Sequence, residues 1–322
     1  MLKISANPHI QSPRTTQDLM LDVVIALMPA AFAAILFFGI AALKVILTSV
    51  AACVLFEYLA CRYWLKTANT TRDFSAVITG LLLAYNLPST MPCLMILAGA
   101  FMAIIVAKIC FGGLGKNIFN PALVGRVFLF ISFPVQMTTW SKPYFGHLFA
   151  PDVQTAATPL KILKTNDVAV VAAELPDYWQ LFVGNIGGCI GEISTLALLL
   201  GLAWLLYRKV ITWHIPFYYL ATVLVLASVL YYATGNIKFL PVAHLLSGGL
   251  MLGAVFMATD YTTSPMTIKG QIIFAVGCGI LTVVIRAFSA YPEGVSFAIL
   301  IMNSLVPLID KYAVQRYYGE KK

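Results

Sequence analysis

The sequence predicts an all-α polytopic membrane protein with about ten transmembrane helices. Hydrophobic residues make up 60% of the 322 positions and charged residues only 11%, whereas a soluble domain carries roughly 25% charged residues. Long apolar runs follow one another along the chain, and most Lys and Arg residues lie in the short segments between them. The apolar surface therefore requires a lipid bilayer as its solvent, with both interfaces anchored by Tyr and Trp.

A membrane-spanning helix needs about 20 apolar residues, and ten segments are candidates on that basis. The first five are 21–40, 43–63, 75–87, 92–111 and 119–135, and the second five are 187–206, 211–233, 240–258, 268–286 and 295–312. The third segment is short and ends in Asn86-Leu87-Pro88. It is predicted to be a half-helix or part of a broken span, both of which membrane proteins tolerate where the backbone faces protein or water.

The two sets of five spans predict a 5+5 inverted repeat. Each half contains a Gly-bearing apolar run that leads through a proline to a span ending in a cation, Lys108 in the first half and Arg286 in the second. An odd number of spans inverts the second half relative to the first, and ligand sites in such folds lie near the midplane. The predicted division is 1–20 (N-terminal segment), 21–135 (first half), 136–186 (polar loop), 187–312 (second half) and 313–322 (tail).

The distribution of basic residues predicts the orientation. With the N-terminus in the cytoplasm, fourteen Lys and Arg residues lie inside and six outside. Cytoplasmic loops carry the excess of basic residues, so both termini are expected in the cytoplasm and the 136–186 loop on the outer side. The net charge of +8 is explained in the same way, and no basic patch with interleaved aromatics suggests a nucleic-acid partner.

Neither a signal peptide nor a metal site is predicted. The first 20 residues are polar, and the first apolar run is long enough to remain as an anchor. The six cysteines form no Cys-x-x-Cys pair and fall in or near apolar runs, which is typical of small buried residues.

Three stretches carry candidate functional residues. The first, 152–160, is small and hydroxylated, and Pro159 disfavours helical geometry at Thr158; an ordinary surface turn is the alternative. The second, 113–126, is rich in Gly, Asn and cations that could contact a polar ring or a phosphate. Its alternative is a loop that caps the fifth span, with Arg126 reaching the interface.

The third stretch, 185–194, contains Glu192 at the start of the sixth span. A charge at the centre of a membrane helix costs roughly 2.5–3.5 kcal/mol, so such residues are functional candidates. Glu57 in the second span is the other such acid. Both are hypothesised to lie on an ion path; a protonated acid bonded to a neighbour is the alternative for each.

Together these stretches resemble a known family. The chain is similar over essentially its whole length to the D subunit of the Rnf electron-transport complex, and more distantly to the B subunit of the sodium-translocating NADH:quinone oxidoreductase. The features that carry the resemblance are Ser12-Pro13 before the first span, Gly-Lys-Asn-Ile-Phe-Asn-Pro-Ala at 115–122, the segment 187–194 and the spacing of the spans.

The resemblance implies covalent FMN, bound through a phosphoester to a threonine. The family's attachment pattern is Asp-x-x-Ser/Thr-x-Ala-Thr, and Asp152, Thr155, Ala157 and Thr158 match it in register. Thr158 would therefore be the phosphoryl threonine, modified by a separate flavin transferase because an unaided hydroxyl is a poor nucleophile. A second, non-covalent riboflavin is also implied, although no residue in the sequence is assigned to it.

The implied function is that of a membrane subunit in an ion-translocating complex that transfers electrons between ferredoxin and NAD, with other Rnf-type subunits as partners in the cell (inner) membrane. The covalent flavin would relay electrons on the outer side, and no catalytic residue is assigned in the chain itself. A secondary transporter or channel without a redox role is the alternative, since fold does not fix function. A haem protein using His147, His214 or His244 is a weaker alternative, because no two share a helix face at ligand spacing.

Overall fold

A computed structural model describes residues 14–65, 70–144, 155–165, 167, 171, 173–289 and 293–313. Within these ranges the chain is helical, and its only extended pairing is an isolated bridge between Ser141 and Thr155. The all-α prediction is therefore confirmed for the described residues. Asp152 and His147 lie outside them.

The described part of the first half contains five main helical segments, together with a 3₁₀ helix at Thr70–Asp73 and a short helix at Pro134–Met137. The helices are α1 (Thr16–Phe38), α2 (Ile40–Leu59, continued by a π-helix at Ala60–Leu65), α3 (Ser75–Tyr85), α4 (Cys93–Phe101, continued by a π-helix at Met102–Ile109) and α5 (Pro121–Ser132). The Thr15 hydroxyl begins α1 by accepting from the amide of Asp18, whose carboxylate accepts in return from the Thr15 backbone, which is a capping box. As predicted, α3 is short and ends just before Asn86.

The connecting region carries a short helix, α6 (Pro159–Lys164). The second half then contains α7 (Thr195–Tyr207), α8 (His214–Thr234), α9 (Pro241–Leu246), α10 (Leu250–Leu252, continued by a π-helix at Gly253–Met257), α11 (Ile268–Phe288) and α12 (Val295–Tyr312).

Two predicted spans differ from the observed helices. The span 187–206 starts later than predicted, because residues 187–194 form a buried non-helical loop and the Ser194 hydroxyl caps α7. The span 240–258 is broken at residues 247–249, where Ser247 is extended and Gly248 has a φ of 69°, a left-handed conformation that favours glycine. Both differences place irregular backbone inside the protein, where it can contact polar side chains.

Among the described residues, five helices are long and apolar enough to cross a membrane: Thr16–Phe38, Ile40–Leu65, His214–Thr234, Ile268–Phe288 and Val295–Tyr312. Four shorter apolar helices accompany them, at Ser75–Tyr85, Cys93–Ile109, Pro121–Ser132 and Thr195–Tyr207. Phe32, Leu47 and Val225 are more than half exposed on the long helices. Because such side chains need an apolar solvent, they indicate the surface that contacts lipid.

The interior is built from closely packed small residues. Gly80 of α3 has no room for a side chain, because an added Cβ would lie 2.7 Å from the Cα of Val50 in α2. Gly201 of α7 similarly lies against the backbone of Ala26 in α1, so the two halves meet where these helices cross. Close approach through small residues is the usual basis of helix packing in membranes.

Candidate functional site

The predicted attachment turn is ordered in its described part. Thr155 forms the bridge with Ser141, and the amide of Ala156 donates to the carbonyl of Trp140 at 2.9 Å. Thr158 has φ −74° and ψ 150° and is the N-cap of α6, where its Oγ accepts from the amide of Lys161 at 3.3 Å. The non-helical geometry predicted from Pro159 is thus present. Thr158 is only 6% exposed, so it is better packed than a flexible surface turn would be.

The attachment turn packs against the loop formed by residues 186–194. A Cβ added at Gly187 would lie 2.9 Å from the Cβ of Ala156, so the two backbones approach as closely as glycine allows. The loop continues to the end of α3, where the amide of Ile190 donates to the Leu87 carbonyl at 3.0 Å and that of Gly191 to the Tyr85 carbonyl at 2.8 Å. The third predicted stretch therefore joins the attachment turn to the half-helix.

Arg126 does not reach the membrane interface as the alternative interpretation expected. It is 5% exposed and its guanidinium lies inside the protein. Nη1 donates to Asn86 Oδ1 at 2.7 Å and to Ser296 Oγ at 2.9 Å, while Nη2 donates to Glu192 Oε1 at 3.3 Å. A further carboxylate, that of Glu293, accepts from the same Nη2.

We call Arg126 and its hydrogen-bonding neighbours the arginine cluster. It consists of Arg126, Asn86, Cys189, Glu192, Glu293 and Ser296. Nη2 also lies 3.7 Å from Cys189 Sγ, and that thiol donates to the backbone carbonyl of Asn86 at 3.3 Å. The cluster joins α3, α5, the loop 186–194 and the start of α12. Since these elements belong to both halves of the chain, the cluster lies at the interface between the halves.

Glu57 is in a second, separate buried ion pair. Its Oε2 accepts from Lys108 Nζ at 2.6 Å, and the same Nζ donates to Ser75 Oγ at 2.7 Å. Ser75 begins α3 and Asn86 follows its last residue, so at 1.5 Å per residue the two ion pairs are separated by about 16 Å of helix. The structure therefore does not bring Glu57 and Glu192 together; it places them at opposite ends of α3.

The second predicted stretch borders a cavity of about 90 Å³. Asn117, Asn120 and Lys108 line it together with Thr79 and Asp260. Asn120 caps α5 by accepting from the amides of Ala122 and Leu123, and its Nδ2 donates to the carbonyl of Met257 at 3.2 Å. The cavity thus lies between the halves and has both polar and apolar walls.

Two lysine side chains lie near the C-terminal end of α6. Lys164 Nζ donates to the Ser289 carbonyl at 2.6 Å, and Lys238 Nζ donates to the Ala287 carbonyl at 2.7 Å, both at the C-terminal end of α11. Partial burial lowers the pKa of Lys164, and the neighbouring Lys238 lowers it further. Because Lys164 is the last residue of α6, these amines lie at the end of the helix opposite Thr158.

The two described histidines of the haem alternative lie on different elements. His214 stacks on Trp213 with ring centroids 4.5 Å apart, and His244 Nε2 lies 2.9 Å from the Lys238 carbonyl. Arg286 Nη1 donates to the His244 carbonyl at 2.6 Å. These contacts give no arrangement of two imidazoles around one metal.

The sequence did not single out Asn86, Cys189, Glu293 or Ser296 as partners of Arg126. The one hint in the sequence was the position of Glu293. It lies just before the last span of the second half, as the Gly-bearing loop lies just before the last span of the first half. Contacts between residues 167 positions apart depend on how the halves pack, and no local pattern reports them.

The fold and these sites define a class of protein: a multi-pass membrane protein of two helical halves, with one buried ion pair inside the first half and another cluster between the halves. The sequence matches the NQR2, RnfD, RnfE family over residues 3–319, and the chain belongs to that family. The resemblance to the D subunit of the Rnf complex is therefore confirmed.

Full-length relatives support the same membership. The chain is 44% identical over 323 residues to the D subunit of the Na⁺-translocating ferredoxin:NAD⁺ oxidoreductase complex of Acetobacterium woodii, covering 100% of this chain and 96% of the relative. It is 45% identical to the D subunit of the proton-translocating ferredoxin:NAD⁺ oxidoreductase complex of Clostridium ljungdahlii, covering 99% and 96%. It is 37% identical over 350 residues to the D subunit of the ion-translocating oxidoreductase complex of Escherichia coli, covering 100% and 99%.

Proposed function

We propose that this chain is the membrane-embedded D subunit of an ion-translocating ferredoxin:NAD oxidoreductase complex and that it relays electrons through FMN bound covalently to Thr158. The observation that carries the proposal is the position of Thr158. It completes the Asp-x-x-Thr-x-Ala-Thr pattern, is the N-cap of α6 and directly follows Ala156 and Ala157, which lie against Gly187 in the loop that leads to the arginine cluster. A transporter without a redox role has no need of such a turn.

The residues around Thr158 fit a phosphoester. Thr158 is the N-cap of α6, where the backbone amide of Lys161 already donates to its Oγ at 3.3 Å, and free amides at a helix N-terminus favour a bound anion. When bound, the flavin would supply the redox chemistry, while the protein supplies position and electrostatics. Because Thr158 is 6% exposed in the folded chain, we expect the flavin transferase to act before this turn is fully packed.

The region beside Asn117 and Asn120 is our candidate for the non-covalent riboflavin; its cavity of about 90 Å³ is smaller than the roughly 300–1,000 Å³ of a small-molecule pocket, so binding there requires the two halves to move apart. Amide side chains can both donate to and accept from a polar ring, and the apolar wall from Ile78 and Phe256 suits the faces of a flavin. Glu57 with Lys108 and Glu192 with Arg126 are proposed to lie on the ion path, because buried ion pairs at or beside the interface of two halves can respond to their relative movement.

The proposed membrane arrangement has ten passes in two inverted halves. The long helices, the four shorter ones and the broken segment α9–α10 together supply ten apolar segments. The excess of basic residues in alternate loops supports cytoplasmic termini and an outer position for the loop 136–186. Other subunits of the complex, the lipid bilayer and the flavin transferase are the proposed partners.

Replacement of Thr158 tests the flavin proposal. Purified wild-type chain, co-expressed with a flavin transferase, should carry the added mass of FMN and fluoresce in a denaturing gel. Thr158→Ala should lose both signals, because the hydroxyl that forms the ester is absent. Thr165→Ala, which removes an exposed hydroxyl directly after α6, is the matched control and should retain both. Flavin on the Thr158→Ala chain would refute the site, and its absence from the wild type would refute the relay.

A further inference from the structure

Glu192 and Glu293 approach one nitrogen of a single guanidinium. Both carboxylates accept from Nη2 of Arg126, and their side chains are 4% and 14% exposed. One oxygen of each carboxylate and the Cys189 sulfur all lie within 4.8 Å of one another. Two acids, one from each of two separate loops, are therefore held together in the interior.

The contacts of this pair leave one negative charge without a direct cationic partner. The other nitrogen of Arg126, Nη1, donates to the neutral side chains of Asn86 and Ser296. Among the described residues, the other cation that faces the pair is Arg286 of α11, and it donates to the backbone carbonyls of His244 and Ser247. Two carboxylates sharing a buried site do not both ionise readily.

We propose that Glu192 and Glu293 hold one exchangeable proton between them, at the interface of the two halves. Arg126 then neutralises the remaining carboxylate, so the protonated cluster has no net charge. A proton fits this site better than a metal cation does, because hard cations need several oxygens around them at short distance. The guanidinium already fills the space between the two carboxylates and Cys189.

Release of this proton is a simple ionisation. The O–H bond of one carboxyl group breaks, the proton passes to water through Glu293, which is the more exposed acid, and both carboxylates remain bonded to Arg126. No electron moves in the step. The inference deepens the proposed ion-translocating function but does not depend on flavin at Thr158, so the two proposals can fail separately.

Infrared spectroscopy of the lipid-reconstituted complex tests the proton directly. During perfusion from low to high pH, we expect the carbonyl stretch of a carboxylic acid to disappear, and in D₂O the band should shift. Glu192→Gln and Glu293→Gln should each abolish the whole band, since the single remaining carboxylate pairs with Arg126 and stays ionised. Glu174→Gln, at an exposed acid of the outer loop, should leave the band unchanged.

Three results would overturn the inference: a wild-type spectrum without the band, a band that survives both glutamine variants, or a band that Na⁺ abolishes at constant pH. The last result would identify a sodium site instead. If a glutamine variant fails to assemble, Glu293→Asp retains both acids and should keep the band at an altered frequency. A band whose frequency is unaffected by that change would also contradict the assignment.

Discussion

At the scale of single residues, the buried charges are held by partners that come from distant parts of the chain. Lys108 and Glu57 are 51 positions apart and both nearly inaccessible, with side-chain exposures of 4% and 2%. Removing one member of a buried ion pair leaves an uncompensated charge, which is far more destabilising than removing both. The energetic role of the pair is therefore visible in single and double substitutions.

We predict that Glu57→Gln and Lys108→Met each destabilise the protein by roughly 3–5 kcal/mol. The double variant should lose much less than the sum, because neither charge is then left unpaired. Thermal unfolding of the purified complex in lipid measures all three. Additive losses would show that the ion pair contributes no coupling, and that each residue acts through other neighbours.

At the scale of elements, irregular backbone is placed where it contacts the functional residues. The loop 186–194 is buried, and Gly191 packs directly against the side chain of Tyr85, whose hydroxyl donates to the Leu27 carbonyl at 2.7 Å. For Gly188, three positions earlier, the only atom of the described residues within 4 Å of an added Cβ is Glu192 Oε2, at 3.8 Å. Two glycines in one loop thus have very different surroundings.

This contrast gives a matched pair of substitutions. Gly191→Ala should destabilise the protein by about 1–3 kcal/mol, because overpacking forces a rearrangement around Tyr85. Gly188→Ala should be nearly neutral, since the methyl group meets only ordinary van der Waals contact. Melting temperatures of the two purified variants provide the measurement. Equal effects would mean that the loop relaxes away from α3 and does not hold the arginine cluster in place.

The element boundaries show what the sequence could and could not predict. Apolar length and Asn86-Leu87-Pro88 correctly predicted a short α3, and Pro159 correctly predicted extended geometry at Thr158. The late start of α7 was missed because residues 187–194 are apolar enough to resemble a helix, although their glycines serve close packing against α3. The partners of Arg126 were missed because hydropathy describes burial and does not say which distant loops meet.

At the scale of the whole molecule, the two halves meet along α1 and α7 and around the arginine cluster. Ala156 and Ala157, just before Thr158, lie against the loop 186–194 that leads to the cluster, and the Lys108–Glu57 pair lies near the other end of α3. A change in the relative position of the halves would therefore alter the arginine cluster directly. Glu57, Lys108 and Ser75 all belong to the first half, so that pair would respond through the cavity that Lys108 shares with residues of the second half. Coupling of electron transfer to ion movement requires such a difference in ion affinity between states.

The orientation of the molecule in the membrane determines which buried ion pair lies nearer the cytoplasm, and cysteine labelling can measure this orientation directly. Lys161 in α6 and Lys116 before α5 are both exposed, and the distribution of basic residues predicts that they lie on opposite sides of the membrane. In a background without native cysteines, Lys161→Cys should react with a membrane-impermeant maleimide in intact cells. Lys116→Cys should react only after permeabilisation, because the bilayer separates it from the reagent. Labelling in the reverse order would invert the topology and place Thr158, with any flavin it carries, on the cytoplasmic side.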